Sequence, residues 1–430
     1  MSSEEPQHTI VDPDFLAKLE ASIGGAAVLD PDATMRSDTI VQRDRSDSPW
    51  TEKRRSGGGS TPLRASASGS TSGFEVVFTE HIGSGGVANV DAATQTSLER
   101  EVAIKRPKGD ITAEIVTSSL IQEARLMGQL EHPNIPPIHE LAYDDNGNPM
   151  ILMKRIRGET WSTVLNDSEH AYWSSQAQDA LHVNLRILIQ VCHALEYAHS
   201  KDIIHRDIKP GNVMLGEYGE VYLLDWGFAV VLDEGGQYWI DAFYGTPSFA
   251  APEMFSIHEP LTVKTDVYLL GATLHKIITG RRLHIGSTFS DMVVSSRLSP
   301  PFAYPAEVHP DLAAIANRAT HKDPGRRYDS VSALRAALEE HLNHFHVMDL
   351  LRSAKESRGR LESLLQTGSS DLFAFYQGAF QGQFACQKVL ELRPDHAEAQ
   401  KILSEFLLLL LRHEIQQRHL RTSKKVMEQI

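Results

Sequence analysis

Residues 205 to 213, His-Arg-Asp-Ile-Lys-Pro-Gly-Asn-Val, gather in one short stretch a carboxylate that can take a proton, a lysine that can meet a phosphate and an amide that can meet a metal ion. Phosphoryl transfer needs little covalent help and is accelerated mainly by positioning and by neutralising charge around the transferred group. Farther on, the apolar Leu223-Leu224 ends in Asp225-Trp226-Gly227, the pattern of a buried strand that delivers an acid to a site. Upstream, Ile82-Gly83-Ser84-Gly85-Gly86-Val87-Ala88-Asn89-Val90 follows a stretch with apolar residues at Phe74, Val76 and Phe78. Glycines let a backbone approach phosphate oxygens closely, and a strand before them suits a flap laid over a nucleotide.

Between these lie Val102-Ala103-Ile104-Lys105, a strand-like tetrapeptide ending in a cation, and a helical stretch from about Ala113 to Leu130 that carries Glu123. Beyond them come Gly245-Thr246-Pro247-Ser248-Phe249-Ala250-Ala251-Pro252-Glu253 and Lys264-Thr265-Asp266-Val267-Tyr268. In this order the motifs resemble those of the bacterial eukaryotic-like (Hanks-type) serine/threonine protein kinases, over about residues 74 to 343.

The resemblance implies an α+β, bilobal protein kinase fold, with a small lobe of antiparallel strands plus one helix and a larger, mainly helical lobe. ATP would lie between them, with Mg2+, or Mn2+ in its place, as the metal. Asp207 would accept the substrate hydroxyl proton, Lys209 would touch the transferred phosphate, and Asn212 and Asp225 would hold the metal. Lys105 would contact the phosphates and pair with Glu123. The flap residues Ile82 to Val90, with Ala103, would cover the nucleotide, Met153 would guard the back of its pocket, and Lys154 to Ile156 would supply the hinge. Thr246 would link Lys209 to Asp207, Glu253 would pair with Arg327, and Asp266 would brace the catalytic loop. Two departures stand out: Trp226 where the family usually has Phe, and Ala88 in place of a third flap glycine.

The implied activity is transfer of the ATP γ-phosphate to Ser/Thr hydroxyls of protein substrates in bacterial signalling. Lys209 favours this acceptor over tyrosine. The alternative is a nucleotide-binding pseudokinase or scaffold acting through the C-terminal helices. Arg206 before Asp207 usually meets a phosphorylated residue in such proteins, yet no Ser or Thr lies between Gly227 and Gly245, so Asp233, Glu234 or Asp241 is expected to pair with it.

The elements that must position these residues are legible too. Asn146-Gly147 between two apolar runs predicts a hairpin, and Leu185, Leu188, Cys192, Leu195 and His199 recur at helical spacing as a core face. Residues 1 to 73, rich in Ser, Thr, Gly, Asp and Arg, read as a disordered tail, with autophosphorylation expected between Ser56 and Ser72. Residues 344 to 430 read as helical, with Arg393-Pro394-Asp395 between two apolar-periodic runs, a weak likeness to a tetratricopeptide helix-turn-helix. Self-association or a protein partner is the expected use of these helices.

A net charge of −14 over 430 residues argues against general nucleic-acid binding, which needs clustered Lys and Arg. Cys192 and Cys386 are too few and too far apart for a disulfide framework, and His341, His344 and His346 lack a second ligand set with metal spacing. The N-terminus lacks a basic flank and apolar core, and the longest apolar run, Phe406 to Leu411, is far short of the ~20 residues that cross a bilayer. The expected compartment is the cytoplasm.

Overall fold

The computed structural model describes residues 35–36, 75–84, 88–108, 114–174, 179–366 and 371–416. The chain divides into two compact units, Met1–Leu338 and Glu339–Ile430.

The first unit begins with a five-stranded antiparallel sheet in the spatial order Val76–Ser84, Ala88–Gln95, Arg100–Pro107, Pro149–Lys154, Ile138–Tyr143. Alternation along the strands separates two faces. Val76, Ala93, Val102, Ile104, Ala142, Met150 and Leu152 pack together on one. The other receives the helix Glu114–Met127, whose Leu120 and Ala124 bury Ile151. Because Lys105 pairs in register with Ile151, and Ala103 with Met153, the lysine points to the helix face and not into the opposite core. The expected hairpin is present: Gly147 takes φ +83°, and Asp144 Oδ1 accepts from the N–H groups of Asn146 and Asn148.

The mainly helical lobe is built on Ala180–His199 and Val263–Thr279. Leu185, Leu188, Cys192 and Leu195 are buried on the first, as the periodicity predicts. The second opens with a capping box between Thr262 and Thr265 and closes on Gly280 at φ +69°, so both ends satisfy their backbone groups before the helix enters the core. It runs against Pro310–Ala319 so closely that a Cβ at Gly271 would stand 2.6 Å from that of Ala319.

In the second unit, Val347, Leu351 and Leu361 of the helix Val331–Gln366 share one core with Phe375, Ala379 and Val389 of Leu372–Leu392 and with Ile402 and Phe406 of Ala397–Gln416. The last two helices meet at Gly382, where a Cβ would fall 1.9 Å from the Phe406 ring. Among the described residues, no helix is long and apolar enough to cross a membrane.

One pairing has no counterpart in the composition of the tail. Met35–Arg36 form a two-residue strand antiparallel to Tyr244–Gly245. Ser56 to Ser72, the expected autophosphorylation region, lies outside the described residues.

Candidate active site

Two elements packed face to face create the first half of the site. The Lys105 ammonium donates to both Glu123 carboxylate oxygens, at 2.7 and 2.9 Å, and to Asp225 Oδ1 at 3.0 Å. The strand, the helix and the loop after Val221–Leu223 thus converge on one cation. Burial by itself would lower the lysine's pKa, but the carboxylates of Asp225 and then Glu123 outweigh it and hold the pKa well above the ordinary range. Lys105 in turn holds Asp225 below the usual carboxylate range, whereas burial pushes Glu123 up against the pull of the same lysine. The Asp225 side chain keeps 38% of its surface open, so an acid anchored by one oxygen still faces the cleft. Its backbone sits at φ +58°, a left-handed conformation uncommon outside glycine and found where surroundings over-determine a functional residue.

The second half is the loop His205 to Val213. Asp266, fully buried, accepts from the backbone N–H of His205 at 2.9 Å and of Arg206 at 3.0 Å, and meets His199 Nε2 at 2.7 Å. It braces the loop from beneath. Above it, Thr246 accepts from Lys209 Nζ at 2.6 Å and donates to Asp207 Oδ1 at 2.6 Å. The Asn212 amide donates to Asp207 Oδ2 at 2.8 Å, and Lys209 Nζ stands 3.5 Å from the same oxygen. Carboxylate, lysine, amide and hydroxyl are locked into one geometry.

Asn212 is tied to the acid strand as well, because its carbonyl accepts from Leu224 N at 2.7 Å, next to Asp225. An amide and a carboxylate brought together in this way offer hard oxygen donors of the kind that Mg2+ or Mn2+ prefers. Trp226 replaces the family's Phe without loss of packing. Its ring is wholly buried, lies edge-on to His205 at 4.6 Å and adds an indole N–H bond to Leu223 O at 3.1 Å.

The flap is anchored by contacts that the motif itself does not announce. His81 bridges Asp91 and Ser84, each at 2.8 Å, and Ser84 donates to Asn89 at 2.9 Å, across the turn. Ile82 is exposed, Ala88 and Ala103 are buried, and Gly85, Gly86 and Val87 lie outside the described residues. Val90 pairs with Lys105 in register. Met153 packs against the cluster of Leu120, Ala124 and Ile151. The Lys154 N–H is engaged with Pro137 O at 3.1 Å, and its ammonium donates to the Tyr222 hydroxyl. Ile156 lines a cavity together with Lys154, Arg157 and Tyr222.

Glu253 makes a two-pronged ion pair with Arg327, at 2.7 and 2.8 Å, with the arginine fully buried over the Tyr268 ring. The expected partner of Arg206 is not confirmed. Its guanidinium lies 5.3 Å from the ring centres of both Tyr238 and Tyr244, and its Nε donates to Phe228 O. No ion pair joins it to Asp233, Glu234 or Asp241 among the described residues; Asp233 instead caps its own turn through Gly235 N and Gln237 N. Burial lowers the Arg206 pKa against the opposing pull of Tyr238, Tyr244, Asp266 and Asp241, and two aromatic faces flank the guanidinium. Aromatic clamps of this kind carry no local sequence signal, since Tyr238 and Tyr244 read as ordinary loop residues.

A buried lysine held by two acids, a carboxylate held by a threonine and an amide, and a two-lobed frame are an arrangement suited to phosphoryl transfer. The chain belongs to the protein kinase domain family, whose sequence profile matches residues 76–341. It is 32% identical over 271 residues to a probable serine/threonine-protein kinase of Corynebacterium efficiens, a match covering 60% of this chain and 40% of that protein. It is 30% identical over 288 residues to serine/threonine-protein kinase PknD of Protochlamydia amoebophila, covering 61% and 29%, and 30% identical over 297 residues to PknD of Chlamydia caviae, covering 61% and 30%. The matches span less than half the length of these relatives.

Proposed function

We propose that this protein is an ATP-dependent kinase that phosphorylates Ser and Thr of protein substrates. The observation that carries the reading is the simultaneous closure of both halves of the site: Lys105 on Glu123 and Asp225, and Thr246 on Lys209 and Asp207. Mg-ATP as substrate supplies the transferable phosphoryl group. Asp207 orients the acceptor hydroxyl and takes its proton. Lys209 adds positive charge beside that position, and Lys105 does so from the sheet. Asn212 and Asp225 are the residues that would hold Mg2+, or Mn2+ in its place. The Lys209 to Thr246 contact supports a Ser/Thr acceptor.

The cytoplasm as compartment is supported by the demand for ATP and by Cys192 and Cys386, both buried free thiols. Self-association or partner binding through the C-terminal unit rests on Phe373, Phe380 and Phe384, exposed at helical spacing along one helix.

The test is transfer of labelled phosphate from Mg-ATP to a generic basic protein, beside Asp207→Asn. Transfer by the wild type and its loss in the variant is expected. Nucleotide binding without any transfer would replace the kinase reading with that of a scaffold.

A further inference from the structure

Alternation puts every second residue of a strand on one face of its sheet, so along Val76–Ser84 the residues Val76, Phe78 and Glu80 would share a face. The register reverses this. Phe78 stands opposite Ala93, which belongs to the core of Val76, Val102 and Ile104, whereas Glu80 stands opposite Ala92. Thr79 is the extra residue between the two pairs, a bulge of the kind that re-aims a side chain beside an active site. Ala92 in turn opposes Ala103, and Ala103 opposes Met153. Residues opposite one another on adjacent strands share a face, and Lys105 lies two residues beyond Ala103. The bulge therefore turns Glu80 to the face that carries Lys105.

Arg155, immediately after the strand Pro149–Lys154, meets Glu80 there. Its guanidinium donates to Glu80 Oε1 and stands 3.3 Å from Glu101 Oε2. Three interstrand steps of ~4.8 Å separate the strand of Glu80 from that of Met153. Between them in that row stand only Ala92 and Ala103, small side chains that leave a long arginine room to cross. The Arg155 side chain is 18% exposed, against 56% for Glu80 and 40% for Glu101. Glu101 also accepts from Arg157 at 2.7 Å, but among the described residues Arg157 forms no ion pair with the flap strand. Arg155 alone thus joins the segment after Met153 to the strand that leads, three residues after Glu80, into Gly83.

We infer that Arg155 is a positioning residue for the nucleotide: by holding Glu80 it fastens the flap strand to the hinge, restrains the flap from lifting, and so strengthens the binding of ATP and ADP. This rests on the kinase reading above, which makes Lys105, Ala103 and the flap the surroundings of the nucleotide. Charge-assisted bonds to two carboxylates exceed a lone surface pair, yet both acids remain partly in water, which limits the effect to a few-fold.

The experiment is titration calorimetry of the full chain with Mg-ADP, beside ATP kinetics on a generic basic protein. Glu80→Gln keeps the shape and removes the charge. Its dissociation constant for Mg-ADP and its KM for ATP should each rise about three- to fivefold, with a smaller change in the rate at saturating ATP. A role confined to folding would instead lower that rate and the melting temperature together, and would overturn the inference. In an Arg155→Gln background the same Glu80→Gln change should add nothing, since its partner is already gone. Arg157→Gln loses a bond to Glu101 but none to the flap strand, and should bind Mg-ADP as the wild type does. Unaltered affinity in Glu80→Gln, effects that multiply in the double variant, or an Arg157→Gln affinity as weak as that of Glu80→Gln overturns the inference and leaves the kinase reading standing. Binding of Mg-ADP without any phosphate transfer removes the kinase reading, and the affinities then decide the role of Arg155 on their own. A wild type that binds no nucleotide removes both.

Discussion

The Thr246 hydroxyl donates to Asp207 at 2.6 Å while accepting from Lys209 at the same distance, so one side chain sets the spacing of carboxylate and cation. Thr246→Val keeps the shape and removes both bonds. Turnover on a generic protein substrate should fall by about tenfold or more, because small misplacements of reacting groups cost rate steeply. Thr246→Ser should retain most activity. Steady-state kinetics of the two variants checks this, and equal rates would show that the hydroxyl positions nothing.

Asp207→Asn should lower turnover by about a hundredfold or more, the range of a lost general base, with ATP affinity nearly unchanged. Asp225→Asn acts differently, since it loosens Lys105 and, on the proposed reading, weakens a metal ligand. The Mg2+ concentration needed for half-maximal rate should rise about tenfold. Magnesium titrations at saturating ATP separate the two variants.

Glu123 supplies two of the three acceptors around Lys105. In Glu123→Ala the lysine is drawn to Asp225 alone, and the rate should drop about tenfold or more while the melting temperature stays close to wild type. A rate equal to wild type would mean that the pair is dispensable.

Arg327→Ala leaves Glu253 and its bond to Thr265 buried without the cation that neutralises it. Breaking a buried pair from one side costs ~3–5 kcal/mol. Denaturant unfolding should show a loss of that size, with Arg327→Lys intermediate, because an ammonium cannot reproduce the two-pronged contact.

Burial depresses the pKa of His275 to about 4 and of His284 to about 3, and each is held neutral against a tyrosine hydroxyl, Tyr304 and Tyr268 respectively. A depressed folded-state pKa means that the unfolded chain binds more protons. The stability these groups contribute is therefore present above their unfolded value of about 6.5, and is lost as pH falls toward the folded values. Between pH 7 and 5 each should cost about 2 kcal/mol. Unfolding measured across that range should steepen in the wild type and flatten in a His275→Asn, His284→Gln variant.

The sequence by itself determined the order of the motifs, the strand and helix periods around them, the hairpin at Gly147 and the residue types at Lys105, Glu123, Asp207, Asn212 and Asp225. These are local properties: alternation selects a face, glycine permits a turn, and one short loop carries its own donors and acceptors. The likeness to a known family turned that order into roles. Only the tertiary structure decided which partner each charge meets. Arg206 lies beside two tyrosine rings and, among the described residues, in ion-pair contact with none of the expected acids, because those rings reach it across a fold that no local pattern describes. His81 ties Ser84 to Asp91 through a strand pairing, and Trp226 rests on His205, whose ring also meets Leu224 O and so joins the two loops. The strand of Met35–Arg36 belongs with these, since composition reports how much apolar surface a segment can bury and says nothing of which distant edge its backbone can join.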